Sequence, residues 1–178
     1  MAVVSFEESA MNIALETSRR SEDPNTQVGS CIVSEENIVL CTGYNTIPKH
    51  WKGDFPWARD ASLVGVENTK YPYVIHSEVN ALNNYEGSKS KLENATIYVT
   101  LFPCPNCAKH IVESGIKRVV YKYDTYKDTI DTLCAKRLLV QCGVEFIQYD
   151  ELVNQVEYSE PVKMLKLYPK NTNKPSND

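Results

Sequence analysis

Apolar side chains recur at helical spacing near the beginning of the chain. Phe6, Ala10, Ile13, Ala14 and Thr17 follow a period of about 3.6 residues, which predicts an amphipathic helix over residues 6–20. Two shorter apolar runs come next, residues 28–34 and 37–42, separated by a brief polar link. Runs of this length with a short polar connection are typical of two strands joined as a hairpin.

From residue 76 onward the pattern alternates between the two element types. Helices are predicted over residues 76–85, 105–114 and 128–141, and strands over residues 96–101, 117–121 and 144–149. Strands that alternate with helices favour parallel pairing through right-handed crossovers. We therefore expect an α/β fold, a three-layer α/β/α sandwich with a mixed five-stranded sheet. Residues 1–160 should form one domain, and residues 161–178 a flexible C-terminal tail.

Residues 46–73 form the longest stretch without a sustained period. A connection of this length inside a compact domain is usually functional, so we predict a functional loop with one short helix near residues 58–66. A merely tolerated insertion is the alternative. The loop contains Trp51, Phe55 and Trp57, which we expect to pack against their own domain or another subunit.

Composition and charge narrow the class of protein. The chain has 178 residues and a net charge of −4, and 42% of its residues are hydrophobic. This charge argues against a domain that holds polynucleotide electrostatically. No apolar run is long enough for a membrane span, and the first residues lack the features of a signal peptide. We therefore expect a cytoplasmic protein that binds no membrane.

The cysteines do not suggest a disulfide scaffold. Six cysteines in a chain of this length are too few for one, and only Cys104 and Cys107 form a close pair. The other four fall within or beside predicted strands and helices, where free cysteine usually behaves as a small buried hydrophobe. They are Cys31, Cys41, Cys134 and Cys142.

The close pair belongs to a group of residues with metal-ligand spacing. His76, Cys104 and Cys107 provide one imidazole and two thiolates, three ligands suited to a tetrahedral Zn²⁺ with one open position. Glu78 lies two residues beyond the histidine and is placed to carry protons beside an activated water. A closed structural zinc site is the alternative, with His110 as a fourth ligand, but such a site gives Glu78 no role.

This pattern, His-x-Glu followed by Pro-Cys-x-x-Cys, resembles the signature of zinc-dependent nucleobase deaminases. The chain is similar to the cytidine/deoxycytidylate deaminase superfamily, and within it to the branch that acts on dCMP. The likeness covers roughly residues 10–147. Besides the zinc motif it includes Ser21 with residues 23–29, Gly43-Tyr44-Asn45, Pro56-Trp57 with Arg59, residues 69–74, Gly115-Ile116-Lys117, and Asp124 with Tyr126.

The resemblance implies zinc-dependent hydrolysis of dCMP to dUMP and ammonia, which supplies dUMP for dTTP synthesis. It implies that His76, Cys104 and Cys107 hold one catalytic zinc and that Glu78 shuttles protons. Asn45 resembles the asparagine that contacts the sugar hydroxyl, with an αL turn residue as its structural alternative. Thr26 and Tyr126 are the further candidates for substrate binding, and packing or capping is their alternative.

Regulation is also implied. Members of this branch are typically homohexamers activated by dCTP and inhibited by dTTP, and Mg²⁺ would accompany a triphosphate effector. Two positions depart from the family pattern. Thr46 follows Asn45 where glycine is common, which puts dCTP activation in doubt. Ser77 stands where alanine is usual, and we expect it to leave the chemistry intact.

Other functions remain open at this level. The enzyme could also accept dCTP, or it could act on a free nucleoside or on cytosine in a polynucleotide. A non-enzymatic alternative is a zinc-stabilised binding module in which Glu78 is incidental. Replacing Glu78 by glutamine separates that module from an enzyme.

Overall fold

A computed structural model describes residues 3–155; the expected tail, residues 161–178, lies outside them. The strands are Gly29–Val33 (β1), Val39–Tyr44 (β2), Thr96–Leu101 (β3), Arg118–Tyr123 (β4) and Glu145–Gln148 (β5). The helices are Phe6–Ser18 (α1), Ala61–Val64 (α2), Ser77–Asn84 (α3), Pro105–Glu113 (α4), Ile130–Gln141 (α5) and Tyr149–Gln155 (α6). Short 3-10 turns cover Val66–Asn68 and Lys89–Lys91.

The five strands form one mixed sheet in the order β2-β1-β3-β4-β5. Strand β1 is antiparallel to both β2 and β3, whereas β3, β4 and β5 run parallel. The predicted α/β architecture with a mixed five-stranded sheet is therefore confirmed. The parallel half arises because α4 and α5 each return the chain to the same end of the sheet.

The alternation of side chains along the strands divides the core into two layers. In β1, Cys31 and Val33 face one way and pack with α1 and α6, whereas Ile32 faces the other way. The layer around Ile32 includes Ala81 of α3, Ala108 and Ile111 of α4, and Ala135 and Leu139 of α5. Helices thus cover both faces of the sheet.

Strand β2 and helix α3 approach each other closely at Gly43. A Cβ atom at this position would meet the carbonyl oxygen of Ser77 and the backbone of Ala81. Glycine is therefore required for α3 to lie directly against the sheet.

Strand β2 also differs from the prediction, because Asn37 adopts a positive φ in the turn and the strand runs from Val39 through Gly43 to Tyr44.

Three further details differ from or complete the sequence-based expectations. Helix α6 was not predicted; it directly follows β5 and buries Leu152 near α1. The expectation that four cysteines are buried is wrong for Cys134 and Cys142, which lie exposed on or beside α5, and Cys41 is only partly buried. The short helix expected near residues 58–66 is confirmed as α2, followed by a 3-10 turn.

The aromatic residues of the loop pack within their own domain. The rings of Trp51 and Phe55 lie 5.1 Å apart, those of Phe55 and Trp57 lie 4.5 Å apart, and Trp51 is 5.2 Å from Tyr73. These contacts form a continuous ladder, which we call the aromatic ladder. Among residues 3–155, no helix is long and apolar enough to cross a bilayer.

Candidate active site

Two helix N-termini meet at the centre of the site. His76 is the N-cap of α3, and Cys104 is the N-cap of α4, with Cys107 in the first turn of α4. Pro105 suits the first position of α4, since proline has no N–H to leave unpaired there. The remaining free N–H groups at a helix start stabilise negative charge on nearby sulfur atoms.

The side chains of these three residues converge. The Nδ1 atom of His76 lies 3.5 Å from the Sγ atom of Cys104 and 3.4 Å from that of Cys107, and all three ligand atoms lie within 4.8 Å of one another. Nitrogen and sulfur ligands on a tetrahedral Zn²⁺ would stand roughly 3.5 Å apart at ordinary bond lengths. The donor set and its spacing therefore fit zinc.

The pKa values of His76, Cys104 and Cys107 depend on one another because the three side chains are in contact. The Cys107 thiol, helped by the His76 ring, holds the pKa of Cys104 at about 3 despite burial. The hydrogen bond to Cys104 raises the pKa of His76 to about 8. Hydrogen bonding to Cys104, together with burial, raises the pKa of Cys107 above its ordinary value. This coupling favours the thiolate form of Cys104, which is the form of cysteine that binds a metal.

Glu78 lies beside the cluster and is almost fully buried. Only 3% of the residue is exposed, and this burial raises the pKa of its carboxyl group, an effect that nearby His76 partly offsets. Its Oε2 atom accepts a hydrogen bond of 3.1 Å from the Ser77 hydroxyl. A carboxyl group in such an environment can hold or release a proton closer to neutral pH than an exposed one.

The alternative of a closed structural site depends on His110. This residue lies exposed on α4, and within residues 3–155 no fourth His, Cys, Asp or Glu has its ligand atom within 4.8 Å of the other three. The described residues therefore provide three protein ligands, the number that a catalytic zinc site uses.

A cavity of about 350 Å³ opens beside this cluster. The candidate site residues His76, Glu78, Cys104, Asn45, Thr26 and Tyr126 all line it. Cys107 does not, because it is buried behind the cavity wall. The sequence-based candidates thus converge on one cavity, although they are separated by as many as 100 positions in the chain.

The side-chain amide of Asn45 is already hydrogen-bonded within the protein. Its Nδ2 group donates to Asp23 Oδ2 and to the carbonyl oxygen of Thr26, and its Oδ1 atom accepts from the N–H of Val28. Both amide hydrogens are therefore occupied within the protein and are not free to donate to a further group. One lone pair on Oδ1 remains able to accept a hydrogen bond.

Asn45 is held in place by Asp23, which is not among the site residues predicted from the sequence. The Oδ1 atom of Asp23 accepts from the N–H groups of Asn25 and Thr26, and its Oδ2 atom accepts from Asn45 and from the Lys70 ammonium. Burial would raise the pKa of Asp23, but the hydrogen bonds from Lys70 and the backbone outweigh it and lower the pKa. We call this arrangement the Asp23 network.

The open side of the cavity carries a cation. The guanidinium of Arg59 donates from Nε to the Tyr71 hydroxyl and from Nη2 to the Tyr126 hydroxyl, each at 3.3 Å. All three side chains line the cavity, and Tyr71 and Tyr126 are substantially exposed. Arg59 was noted in the sequence only as part of a family motif, because no local pattern places it beside Tyr126.

The segment that carries Tyr126 is held at both ends. Before it, Asp124 Oδ2 accepts a hydrogen bond of 2.6 Å from Lys136 Nζ of α5, and that ammonium lies 5.1 Å from the centre of the Phe102 ring. After it, Thr129 caps α5 and also bonds back to the Tyr126 carbonyl oxygen. Tyr126 therefore lies on a short, anchored connection at the cavity rim.

Comparison with known proteins agrees with this geometry. The family model described as the cytidine and deoxycytidylate deaminase zinc-binding region matches residues 4–123. Deoxycytidylate deaminase from Homo sapiens is 41% identical over 140 residues, which cover 78% of this chain and 76% of the human protein. The chain therefore belongs to the cytidine and deoxycytidylate deaminase family.

Solved structures lead to the same fold. The crystal structure of dCMP deaminase from the cyanophage S-TIM5 in apo form is 28% identical, with a TM-score of 0.59, and the match covers 80% of this chain and 95% of that one. The structure of the cyanophage enzyme in complex with dCMP and dUMP has a TM-score of 0.64 and covers 83% and 99%. At 24% identity, the latter supports the fold alone.

The Asp23 network leads to a prediction about stability. Replacing Lys70 by methionine leaves the Asp23 carboxylate buried without its cation, so K70M should lower the free energy of unfolding by about 3–5 kcal/mol. Denaturant unfolding measures this change. The double variant D23N/K70M should recover part of the loss, because no unpaired charge then remains.

A matched control is the exposed pair of Arg19 and Glu16, which are 3.1 Å apart and largely solvated. R19M should change the free energy of unfolding by less than about 1 kcal/mol. Equal effects of K70M and R19M would contradict the importance assigned to the buried pair.

Proposed function

We propose that this protein is a zinc-dependent deaminase that hydrolyses dCMP to dUMP and ammonia. The observation that carries the proposal is one cavity that is lined by His76 and Cys104 of the metal-ligand cluster and, on its open side, by Arg59. The human and cyanophage relatives are deaminases of deoxycytidylate (dCMP), which supports the same substrate. We assign the activity to a single domain of residues 1–160 and place the protein in the cytoplasm.

In this proposal His76, Cys104 and Cys107 hold one Zn²⁺. Zinc bound by three protein ligands supplies Lewis-acid activation of a water molecule. Cys107 and Glu78 are buried, whereas His76 and Cys104 are partly exposed and line the cavity that would admit the substrate.

Glu78 moves the protons in this reaction. Its carboxylate accepts a proton from the attacking water and delivers it to N3 of the cytosine ring. The second proton of the water then passes through the same carboxyl group to the C4 amine, which leaves as ammonia. The raised pKa of Glu78 supports this role, because the group must be able to hold a proton between the two transfers.

Substrate orientation is assigned to residues of the cavity wall. Asn45 would accept a hydrogen bond from the 3′-hydroxyl through the free lone pair of Oδ1, since its amide hydrogens are occupied. Thr26 would stand beside the sugar, held by the contact between its N–H group and Asp23. Tyr126 and Arg59 would bind the 5′-phosphate at the open side of the cavity.

The direct test follows loss of cytosine absorbance with dCMP, deoxycytidine, dCTP and a cytosine oligonucleotide in parallel. We expect dCMP to be turned over with the highest kcat/KM. Comparable turnover of dCTP would mean that the cavity is open beyond the first phosphate. Activity confined to deoxycytidine or to the oligonucleotide would contradict the proposal.

The control for this assay is E78Q. An amide cannot shuttle protons, so kcat for dCMP should fall by about 10²–10⁴ while zinc content stays at the wild-type level. A protein that binds nucleotide but shows no turnover, whether it carries Glu78 or the E78Q substitution, would instead be a binding module.

Arg59 provides a prediction about substrate discrimination. Charge-assisted hydrogen bonds to a phosphate are lost in R59M, so kcat/KM for dCMP should fall by about 10- to 100-fold. The kcat/KM of R59M for deoxycytidine should stay within about twofold of the wild-type value. Deoxycytidine has no phosphate, so it does not make the contact that R59M removes. Steady-state kinetics with both substrates gives the two ratios.

The control variant is R137M, which removes an exposed arginine of α5 that does not line the cavity. It should leave both substrates unaffected. Equal losses for dCMP and deoxycytidine in R59M would contradict a phosphate-binding role and indicate a structural one.

We propose further that the protein works as a homohexamer controlled by dCTP as activator and dTTP as inhibitor, with Mg²⁺ accompanying the triphosphate. The family resemblance supports this. The departure at Thr46 affects the activation by dCTP. Thr46 has a negative φ, and its N–H and carbonyl groups both pair with Ile75. The backbone there is extended and paired, without the freedom that glycine would allow.

Because of Thr46, activation by dCTP should be weaker in the wild-type protein than in T46G. Rates with subsaturating dCMP, measured with and without dCTP or dTTP in the presence of Mg²⁺, compare the two proteins. Light scattering in parallel reports the number of subunits. A monomer whose rate responds to neither nucleotide, in both proteins, would contradict this part of the proposal.

A further inference from the structure

Ser77 lies between the zinc-ligand candidate His76 and the proton carrier Glu78 and is completely buried. Its carbonyl oxygen accepts a hydrogen bond of 2.8 Å from the Ser30 hydroxyl of β1, and it meets β2 at the point where Gly43 allows close approach. Its own hydroxyl donates to Glu78 Oε2 at 3.1 Å. The backbone of Ser77 is therefore fixed by the sheet while its side chain contacts the carboxylate.

A carboxylate at the start of a helix has several rotamers available, and proton transfer requires one of them. Glu78 lines the cavity, and the hydrogen bond from Ser77 engages one of its two oxygens, Oε2. The Cys107 thiol also hydrogen-bonds to the Glu78 side chain, so the Ser77 hydroxyl is one of two side-chain restraints on this carboxylate. The hydroxyl thus restrains Oε2 directly, and a carboxylate held at one oxygen has fewer rotamers available.

We infer that Ser77 is a positioning residue that holds the Glu78 carboxylate in the orientation used for proton transfer. The inference runs against the expectation that Ser77 leaves the chemistry intact, and the S77A variant decides between the two. The inference rests on the proposed function for the chemistry, but not for the orientation of Glu78 itself.

The test variant is S77A, which removes one oxygen atom and keeps the helix. It should lower kcat for dCMP by about tenfold, which corresponds to about 1.4 kcal/mol in the barrier. The KM for dCMP should stay within about twofold, because Ser77 acts on the proton carrier and not on substrate binding. Zinc content should equal that of the wild-type protein.

The matched control is S30A. Ser30 is also completely buried, also loses one hydroxyl in the variant and also contacts Ser77, but through the carbonyl oxygen of Ser77. S30A should lower the melting temperature but keep the wild-type kcat, because helix α3 and its close packing on Gly43 still hold the backbone of Ser77. A purely structural role of Ser77 would instead make the two variants alike.

A readout independent of turnover is the conformation of Glu78 in crystals of the metal-free proteins. Wild-type and S30A crystals should show one conformer of the carboxylate, and S77A crystals a shifted or divided one. A wild-type kcat in S77A, equal losses of kcat in S77A and S30A, or a single unchanged Glu78 conformer in S77A would each overturn the inference. Absence of dCMP turnover in the wild-type protein would contradict the proposed function instead, and the crystals would still test Ser77.

Discussion

One wall of the cavity depends on the hydrogen bonds and the ion pair that the buried carboxylate of Asp23 forms. This carboxylate accepts hydrogen bonds from Lys70, from the Asn45 amide and from two backbone N–H groups, so both of its oxygens are engaged. A buried ion pair is tolerated only when its remaining lone pairs are satisfied in this way. Through these contacts Asp23 joins the loop before β1, the end of β2 and the segment that leads to His76.

The opposite wall depends on strand order. Because β3 and β4 run parallel, the segments that follow them leave the sheet at the same end, where the carboxyl ends of both strands lie. The first of these segments begins α4 with Cys104, and the second carries Tyr126 to the rim. The antiparallel pairing of β1 with β3 then brings the α3 side of the domain, with His76 and Glu78, against the start of α4. Cavity-lining residues from the two halves of the sheet therefore meet where β1 pairs with β3.

Features with a local signature were predictable from the sequence, and features made by distant pairs were not. The ligand spacing of His76, Cys104 and Cys107 is visible along the chain, as is the alternation of strands and helices from residue 96 onward. The contact between Asp23 and Lys70 joins residues 47 positions apart, and Arg59 meets Tyr126 across 67 positions. No periodic pattern records such pairings. Asn45 illustrates the same limit, since the residue type permits donation and only the folded neighbours show that both donors are occupied.

The aromatic ladder has a consequence for how this protein can be observed. The chain contains two tryptophans, and both belong to the ladder. Trp57 also accepts a hydrogen bond at its carbonyl oxygen from Asn25, which lies two residues from Asp23. Intrinsic tryptophan fluorescence therefore reports the environment of this single loop and not the unfolding of the sheet. Tryptophan emission reports on the loop, and circular dichroism reports on the helices and strands. A difference between the unfolding transitions that the two methods record therefore measures how tightly the loop is coupled to the core.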